Sequence, residues 1–132
     1  MAANAILCVD DESIILDSLQ EQLEKYFGND YIYETAENAE EGMELIEELL
    51  EDEIKILIIV TDWLMPGING DEFLIKVHQK YPSIVNIMLT GQANEEAINK
   101  AKKYANLFAV INKPWSEDEL FRIIKSGLKK NE

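Results

Sequence analysis

The feature that most constrains this chain is an alternation of short apolar runs with longer segments of helical periodicity, repeated five times. The apolar runs are rich in Ile, Val and Leu and nearly continuous, which is typical of strands buried on both faces. Strands that alternate with helices form a parallel sheet with helices packed on its two sides. The sequence therefore predicts an α/β fold. The predicted strands are residues 5–9, 31–36, 55–61, 85–90 and 107–112.

A segment with apolar residues at three- and four-residue intervals follows each predicted strand. Gly28 stands where a helix C-cap glycine belongs. Ser116 and Glu119 form a capping box, in which each side chain bonds the backbone N–H of the other residue. The core-facing residues expected in the second helix are Met43, Leu45, Ile46, Leu49 and Leu50. The predicted helices are residues 13–27, 39–53, 70–81, 94–105 and a last helix that opens at Ser116.

Length and composition limit the class of protein. The 132 residues suit one domain, which we expect to span residues 1–132 with a core at about 4–129. No apolar run approaches the roughly 20 residues of a membrane helix, and the N-terminus lacks a basic signal-peptide flank. The single cysteine, Cys8, cannot form an internal disulfide, which favours a cytoplasmic location. The net charge of −14 argues against nucleic-acid binding and favours a cation or a basic partner surface.

Polar residues follow four of the predicted strands. Asp10 and Asp11 come after the first strand, Asp62 after the third, Thr90 ends the fourth and Lys113 follows the fifth. Ligands of open parallel sheets bind beyond the carboxyl ends of the strands, so these residues are expected to converge there. Crowded carboxylates repel one another unless a cation neutralises them, and hard oxygen ligands suit Mg²⁺. A lysine and a hydroxyl beside such a metal site favour phosphoryl transfer to a carboxylate.

The segments "CVDDE", "TDWLMPGINGDEF", "MLTGQA" and "INKPW" together resemble the receiver domain of bacterial response regulators, over almost the whole chain. The resemblance implies a doubly wound, flavodoxin-like (βα)5 fold. It is a three-layer sandwich around a parallel five-stranded sheet of order 2-1-3-4-5, as in the chemotaxis receiver. It also implies phosphorylation by a sensor histidine kinase or a phosphotransfer protein. The helix 4–strand 5–helix 5 face would then repack for an output domain or protein.

The same resemblance implies a role for each site residue. Asp62 would be the phosphoacceptor, Asp11 a direct Mg²⁺ ligand, and Asp10 an acid that acts largely through water. The backbone carbonyl of Leu64 would be a further metal ligand. Thr90 would be the switch hydroxyl, and Lys113 would pair with the phosphoryl oxygens across a Lys113-Pro114 bond that is commonly cis. The chain would be a phosphoacceptor that assists its own phosphorylation and dephosphorylation, rather than an enzyme.

Two positions depart from the common receiver pattern. Many receivers carry Tyr or Phe three residues before the lysine, where this chain has Val110. Phe108 has the same strand parity and is a candidate substitute. Leu64 and Gln92 occupy the positions that flank the path of a hydrolytic water, and of these only Gln92 can orient one.

Several alternatives stay open at the level of sequence. An aspartate-nucleophile phosphatase of the haloacid dehalogenase type is disfavoured, because that family wants a second Asp where Leu64 stands. A receiver-shaped interaction module that works without phosphorylation is a second alternative. The chain is either a stand-alone receiver or a piece of a larger regulator or hybrid kinase. The acids of residues 34–53 and the bases of the last third form either solvated helix faces or a docking face.

Overall fold

The computed structural model describes residues 3–92 and 94–130, and it confirms the predicted α/β fold. Ala93 of the "MLTGQA" motif lies outside these ranges, as do residues 1–2 and 131–132 of the predicted domain. The strands are β1 (Asn4–Val9), β2 (Ile32–Ala36), β3 (Lys55–Asp62), β4 (Val85–Thr90) and β5 (Ala109–Asn112). The helices are α1 (Ser13–Phe27), α2 (Ala39–Glu51), α3 (Gly70–Lys80), α4 (Glu95–Tyr104) and α5 (Glu117–Lys130).

The five strands form one parallel sheet in the order β2-β1-β3-β4-β5, as the resemblance implied. The register pairs Val9 with Thr61, Asp62 with Leu89, and Thr90 with Asn112. The carboxyl ends of the four strands β1, β3, β4 and β5 therefore lie level with one another. Side chains that leave these ends meet at one edge of the sheet.

Helices cover both faces of the sheet, so the domain has two cores. On one face α2, α3 and α4 pack against the sheet around fully buried Phe73. On the other face α1 and α5 pack around residues such as Leu19 and Ile124. Cys8 belongs to this second core, and its burial raises the pKa of the thiol to about 12, so it behaves as a small apolar residue.

The helices begin and end close to the residues predicted from the sequence. Gly28 closes α1 at a φ of 67°, and its N–H donates to the carbonyl of Glu24. The N–H of Glu119 donates to Ser116 Oγ at 3.1 Å, which is one of the two hydrogen bonds of the predicted capping box. The prediction that Leu50 faces the core is wrong, since it is 38% exposed. The buried residues of α2 are Ala39, Gly42, Ile46 and Leu49, so Leu50 lies off that stripe.

Within the described residues, no helix is both long and apolar enough to cross a membrane.

Candidate functional site

The carboxyl edge of the sheet holds an open cleft of about 580 Å³. The sequence-predicted residues Asp11, Asp62, Leu64, Thr90 and Lys113 all line it. Asp10 lies directly beneath it and is fully buried. The convergence predicted from the strand ends is therefore present in the structure.

Lys113 joins the buried acids of the cleft. Its Nζ lies 2.8 Å from Asp10 Oδ2 and 3.2 Å from Asp62 Oδ1, and 3.9 Å from Glu12 Oε1. The other oxygen of Asp10 accepts the backbone N–H of Glu12 at 2.9 Å. Asp10 thus has a partner on each oxygen, while Asp62 keeps a side open to the cleft. Sequence reasoning did not single out Glu12, although it is the last letter of the quoted "CVDDE" motif.

Burial dominates the electrostatics of Asp62, which is 6% exposed at the end of β3. Desolvation and the nearby charge of Asp10 raise its pKa to about 6, although Lys113 acts in the opposite direction. For Lys113, burial opposes the charged form. The hydrogen bond to Asp10 and the charge of Asp62 outweigh that burial and raise its pKa. Lys113 is therefore cationic at neutral pH, and one lysine does not compensate all the carboxylates around it.

The acids fit a divalent cation. One carboxylate oxygen from each of Asp10, Asp11 and Asp62 lies within 4.8 Å of the other two, and Asp11 is exposed on the cleft side. Burial is the main cause of the raised pKa of Asp62 and the charge of Asp10 adds to it, so a cation beside these acids would favour the ionised carboxylate. Mg²⁺ favours a site with a few protein ligands, all of them oxygen atoms, and with room for water molecules.

Thr90 is buried at the end of β4, and its hydroxyl is engaged within its own loop. The hydroxyl donates to the backbone carbonyl of Gln92 and accepts the N–H of the same residue at 3.1 Å. The backbone N–H of Lys113 donates to the carbonyl of Thr90 at 2.9 Å, which fixes the two strand ends to each other. The Lys113-Pro114 peptide bond is cis, as expected.

Gly70 allows α3 to begin close behind Asp62. Its N–H donates to the carbonyl of Trp63 at 2.6 Å. A Cβ at this position would lie 2.1 Å from the carbonyl oxygen of Asp62, so only glycine fits. The N–H of Trp63 donates to the carbonyl of Leu89 at 2.9 Å, which ties the residue after Asp62 to β4. The backbone that presents Asp62 is therefore held from two sides.

Comparison with known proteins decides the family. The protein-family model described as the response regulator receiver domain matches residues 6–125 of the sequence, nearly the whole chain. The chain belongs to the response regulator receiver domain family. The domain is similar to the CheY homolog of Campylobacter jejuni, a chemotaxis protein, with 32% identity over 87% of this chain and 85% of that protein. It is therefore a receiver domain of two-component signalling, a family whose members accept phosphoryl groups.

Other relatives are longer or known in three dimensions. The hydrogenase transcriptional regulatory protein HoxA of Cupriavidus necator is 32% identical over 93% of this chain, but the chain spans only 24% of that regulator. A CheY-like receiver domain protein from Methanospirillum hungatei superimposes with a TM-score of 0.85 at 32% identity. The superposition covers 98% of this receiver and 97% of the other chain. The beryllofluoride-activated NtrC4 receiver domain superimposes with a TM-score of 0.83 at 29% identity, over 97% and 98% of the two chains.

Phe108 and Val110 are the two candidates for a switch residue at strand 5. Phe108 precedes β5, and Lys130 Nζ lies 5.4 Å from its ring centroid, near the end of α5. Asn112, which pairs with Thr90, lies four residues further along, or about 13 Å at the usual rise per residue. Val110 lies between them, pairs with Met88 and is half-buried. The ring of Phe108 therefore lies near Lys130 of α5, four residues before the partner of Thr90, and Val110 has no ring.

Proposed function

We propose that Asp62 is the phosphoacceptor of this receiver domain. The observation that carries the proposal is its placement: the carboxylate is buried at its base, fixed by β3, and open to the cleft in front. Asp10 is enclosed and bonded on both oxygens, and Asp11 is exposed on a loop without such support. A nucleophile needs a fixed position and an open approach, and Asp62 alone of the three acids has both.

In the proposed reaction an oxygen of Asp62 attacks the phosphorus of a phosphohistidine or of a small acyl phosphate. An acyl phosphate bond forms, and the bond from phosphorus to the donor nitrogen or oxygen breaks, with its electron pair leaving on the donor. Lys113, already 3.2 Å from Asp62, neutralises the negative charge of the phosphoryl oxygens. Thr90 gives up its bond to the carbonyl of Gln92 and donates to a phosphoryl oxygen instead.

Mg²⁺ is the cofactor in this proposal. Asp10, Asp11 and Asp62, with the backbone carbonyl of Leu64, would hold it, with Asp10 acting largely through water. When bound, the ion neutralises charge on the transferring phosphoryl group. The side chain of Gln92, exposed at the rim, would orient the water that later hydrolyses the acyl phosphate.

The proposed partners are a sensor histidine kinase or a phosphotransfer protein on the input side, and an output domain or protein on the other. The face formed by α4, β5 and α5 would carry the signal. Support comes from the relatives, which include a transcriptional regulator and the hybrid signal transduction histidine kinase D of Dictyostelium discoideum. We further propose that residues 1–132 act as one domain with a core at about 4–129, in the cytoplasm, without binding nucleic acid or membranes.

Intact-mass measurement after treatment with acetyl phosphate and Mg²⁺ tests the site. The native chain should gain one phosphoryl group, and Asp62→Asn should gain none. Asp71→Asn is the matched control, because Asp71 is equally buried, at 6% exposed, but lies outside the acid cluster. It should be phosphorylated like the native chain.

If Asp62→Asn took up phosphate, another residue would be the phosphoacceptor. No uptake by the native chain, from acetyl phosphate or from a phosphohistidine donor, would instead favour an interaction module that works without phosphorylation. Lys113→Ala separates two roles of the cleft. It should still bind Mg²⁺, but phosphorylation should no longer change the α4–β5–α5 face.

A further inference from the structure

An open groove of about 600 Å³ lies between α2 and α3, next to the cleft of Asp62. Met43 of α2 and Ile68 of the loop before α3 form its apolar part, and both side chains are only partly buried. Pro66 lines this groove and also the cleft of Asp62, so the two openings adjoin each other. Partly exposed apolar side chains in a groove between two helices are typical of a docking surface.

The groove continues toward the C-terminal end of α2. A second opening there has a volume of about 380 Å³ and is lined by Leu50 and by Tyr81, which follows α3. Glu47 lines both openings, and we call the two together the α2–α3 groove. The exposure of Leu50 is therefore part of a continuous surface along α2.

Glutamates of α2 form one wall of the α2–α3 groove. They are spaced four, three and four residues apart, which places them on one face of the helix over about 16 Å. These residues are Glu40, Glu44, Glu47 and Glu51. Of the four, only Glu47 has an ion-pair partner among the described residues, since Lys80 Nζ lies 3.7 Å from its Oε1.

The opposite wall does not balance this charge. Lys76 and Lys80 of α3 are the basic residues that line the groove, against the four glutamates of α2. The surrounding segment, residues 34–53, contains ten acids and no Lys or Arg. A partner that places basic side chains along one face and apolar side chains beside them complements both the charge and the apolar part of the groove. An amphipathic helix has this arrangement, and helices commonly bind in grooves of this kind.

A second copy of this chain fits the groove less well. The helix with the most basic residues is α5, but its apolar residues, such as Leu120 and Ile124, pack against the sheet. It offers the groove basic charge without an apolar face.

We propose that the α2–α3 groove is the docking site of a basic amphipathic helix from a partner protein. Lys or Arg residues of that helix pair with Glu40 and Glu44, which have no ion-pair partner among the described residues. Its apolar residues contact Met43, Ile68 and Leu50. The flexible thioether of Met43 adapts to the shape of the apolar residue that it meets. This docking goes beyond the proposed phosphoryl transfer and does not require it.

A synthetic helical peptide of about four turns tests the groove. The probe carries Lys at four positions spaced as the glutamates are, with Leu on the adjoining face. It should bind the native chain at about 0.15 M salt, where distant charges are screened. Replacing Glu40→Gln together with Glu44→Gln should weaken binding about fivefold, the effect of losing two exposed ion pairs.

The matched control is Glu41→Gln together with Glu48→Gln. Both residues are exposed on α2 and lie outside the α2–α3 groove, and the change in charge is the same. This pair should weaken binding less than about twofold at the same salt concentration. Amide chemical shifts should change mainly in residues 40–51, 66–68 and 76–81.

Four results would overturn the proposal. They are no binding of the probe, equal weakening by the two pairs of substitutions, equally tight binding of a peptide with Ser in place of Leu, and shift changes outside the groove. Sedimentation of the native chain distinguishes a second copy as occupant. Self-association that is lost on replacing Glu40 and Glu44 would place a second copy in the groove and also overturn a partner helix. Phosphate uptake by Asp62 is measured separately, so none of these results contradicts the proposed function.

Discussion

Replacing Gly70 by alanine tests how tightly the backbone of the phosphoacceptor is held. The added Cβ would lie 2.1 Å from the carbonyl oxygen of Asp62 and 3.0 Å from Trp63 Cα. Real Cβ atoms essentially never come closer than 3.0 Å to such an atom, so the two segments must separate by at least 0.9 Å. Both partners are backbone, so no side chain can rotate out of the way. Gly70 does not have a positive φ, so the effect is steric rather than conformational.

The magnitude follows from that displacement. Overpacking of a rigid site costs about 1–3 kcal/mol of unfolding free energy. The better helix propensity of alanine offsets at most about 1 kcal/mol of this. Misplacement of a reacting group by about 1 Å can lower a rate about 100-fold. We therefore expect Gly70→Ala to be less stable than the native chain and to accept phosphate one to two orders of magnitude more slowly.

Urea unfolding and the rate of phosphorylation by acetyl phosphate measure the two effects. Gly91→Ala is the matched control, because Gly91 lines the same cleft but has open space around its Cβ position. Its stability should stay within about 0.5 kcal/mol of native, as is usual for surface substitutions. If Gly70→Ala matched Gly91→Ala in both measurements, the close contact between α3 and Asp62 would not constrain the site.

Three further predictions concern charge, metal and switching. In metal-free buffer, ionisation of Asp62 destabilises the fold, because burial raises its folded pKa from 3.8 to about 6. The free energy of unfolding of the native chain should fall as pH rises from about 4 to 6. Thermal melts of Asp62→Asn should not show this fall, and at pH 7 the variant should be more stable than the native chain by about 1–3 kcal/mol. Mg²⁺ at ten times its Kd should stabilise the native chain by about 1.4 kcal/mol, and an equal midpoint shift in Asp11→Asn would contradict a role for Asp11. With beryllofluoride, amide protection should change more in residues 90–97 than in 107–111, and the opposite result would make Val110 or Phe108 the switch.

Most residues of the site could be predicted from the sequence, because the ends of the apolar strands can be recognised in it. Asp62 and Lys113 each follow an apolar run, and parallel strands bring their carboxyl ends to one edge whatever the details of packing. The side-chain contacts do not follow. That Lys113 lies closer to Asp10 than to Asp62, and that Thr90 is bonded to Gln92, depends on rotamers chosen in three dimensions.

The sequence by itself determined the succession of strands and helices along the chain, the capping glycine Gly28 and the residues at the strand ends. These features depend on local sequence patterns. Only the tertiary structure decided which helical residues are buried. Leu50 follows the apolar pattern yet is exposed, whereas Asp71 is a first-turn acid yet is buried, with Lys100 of α4 3.8 Å from its Oδ2. The physical reason is that burial depends on how each helix is rotated and on which neighbour covers it. Both are set by contacts between residues far apart in the chain.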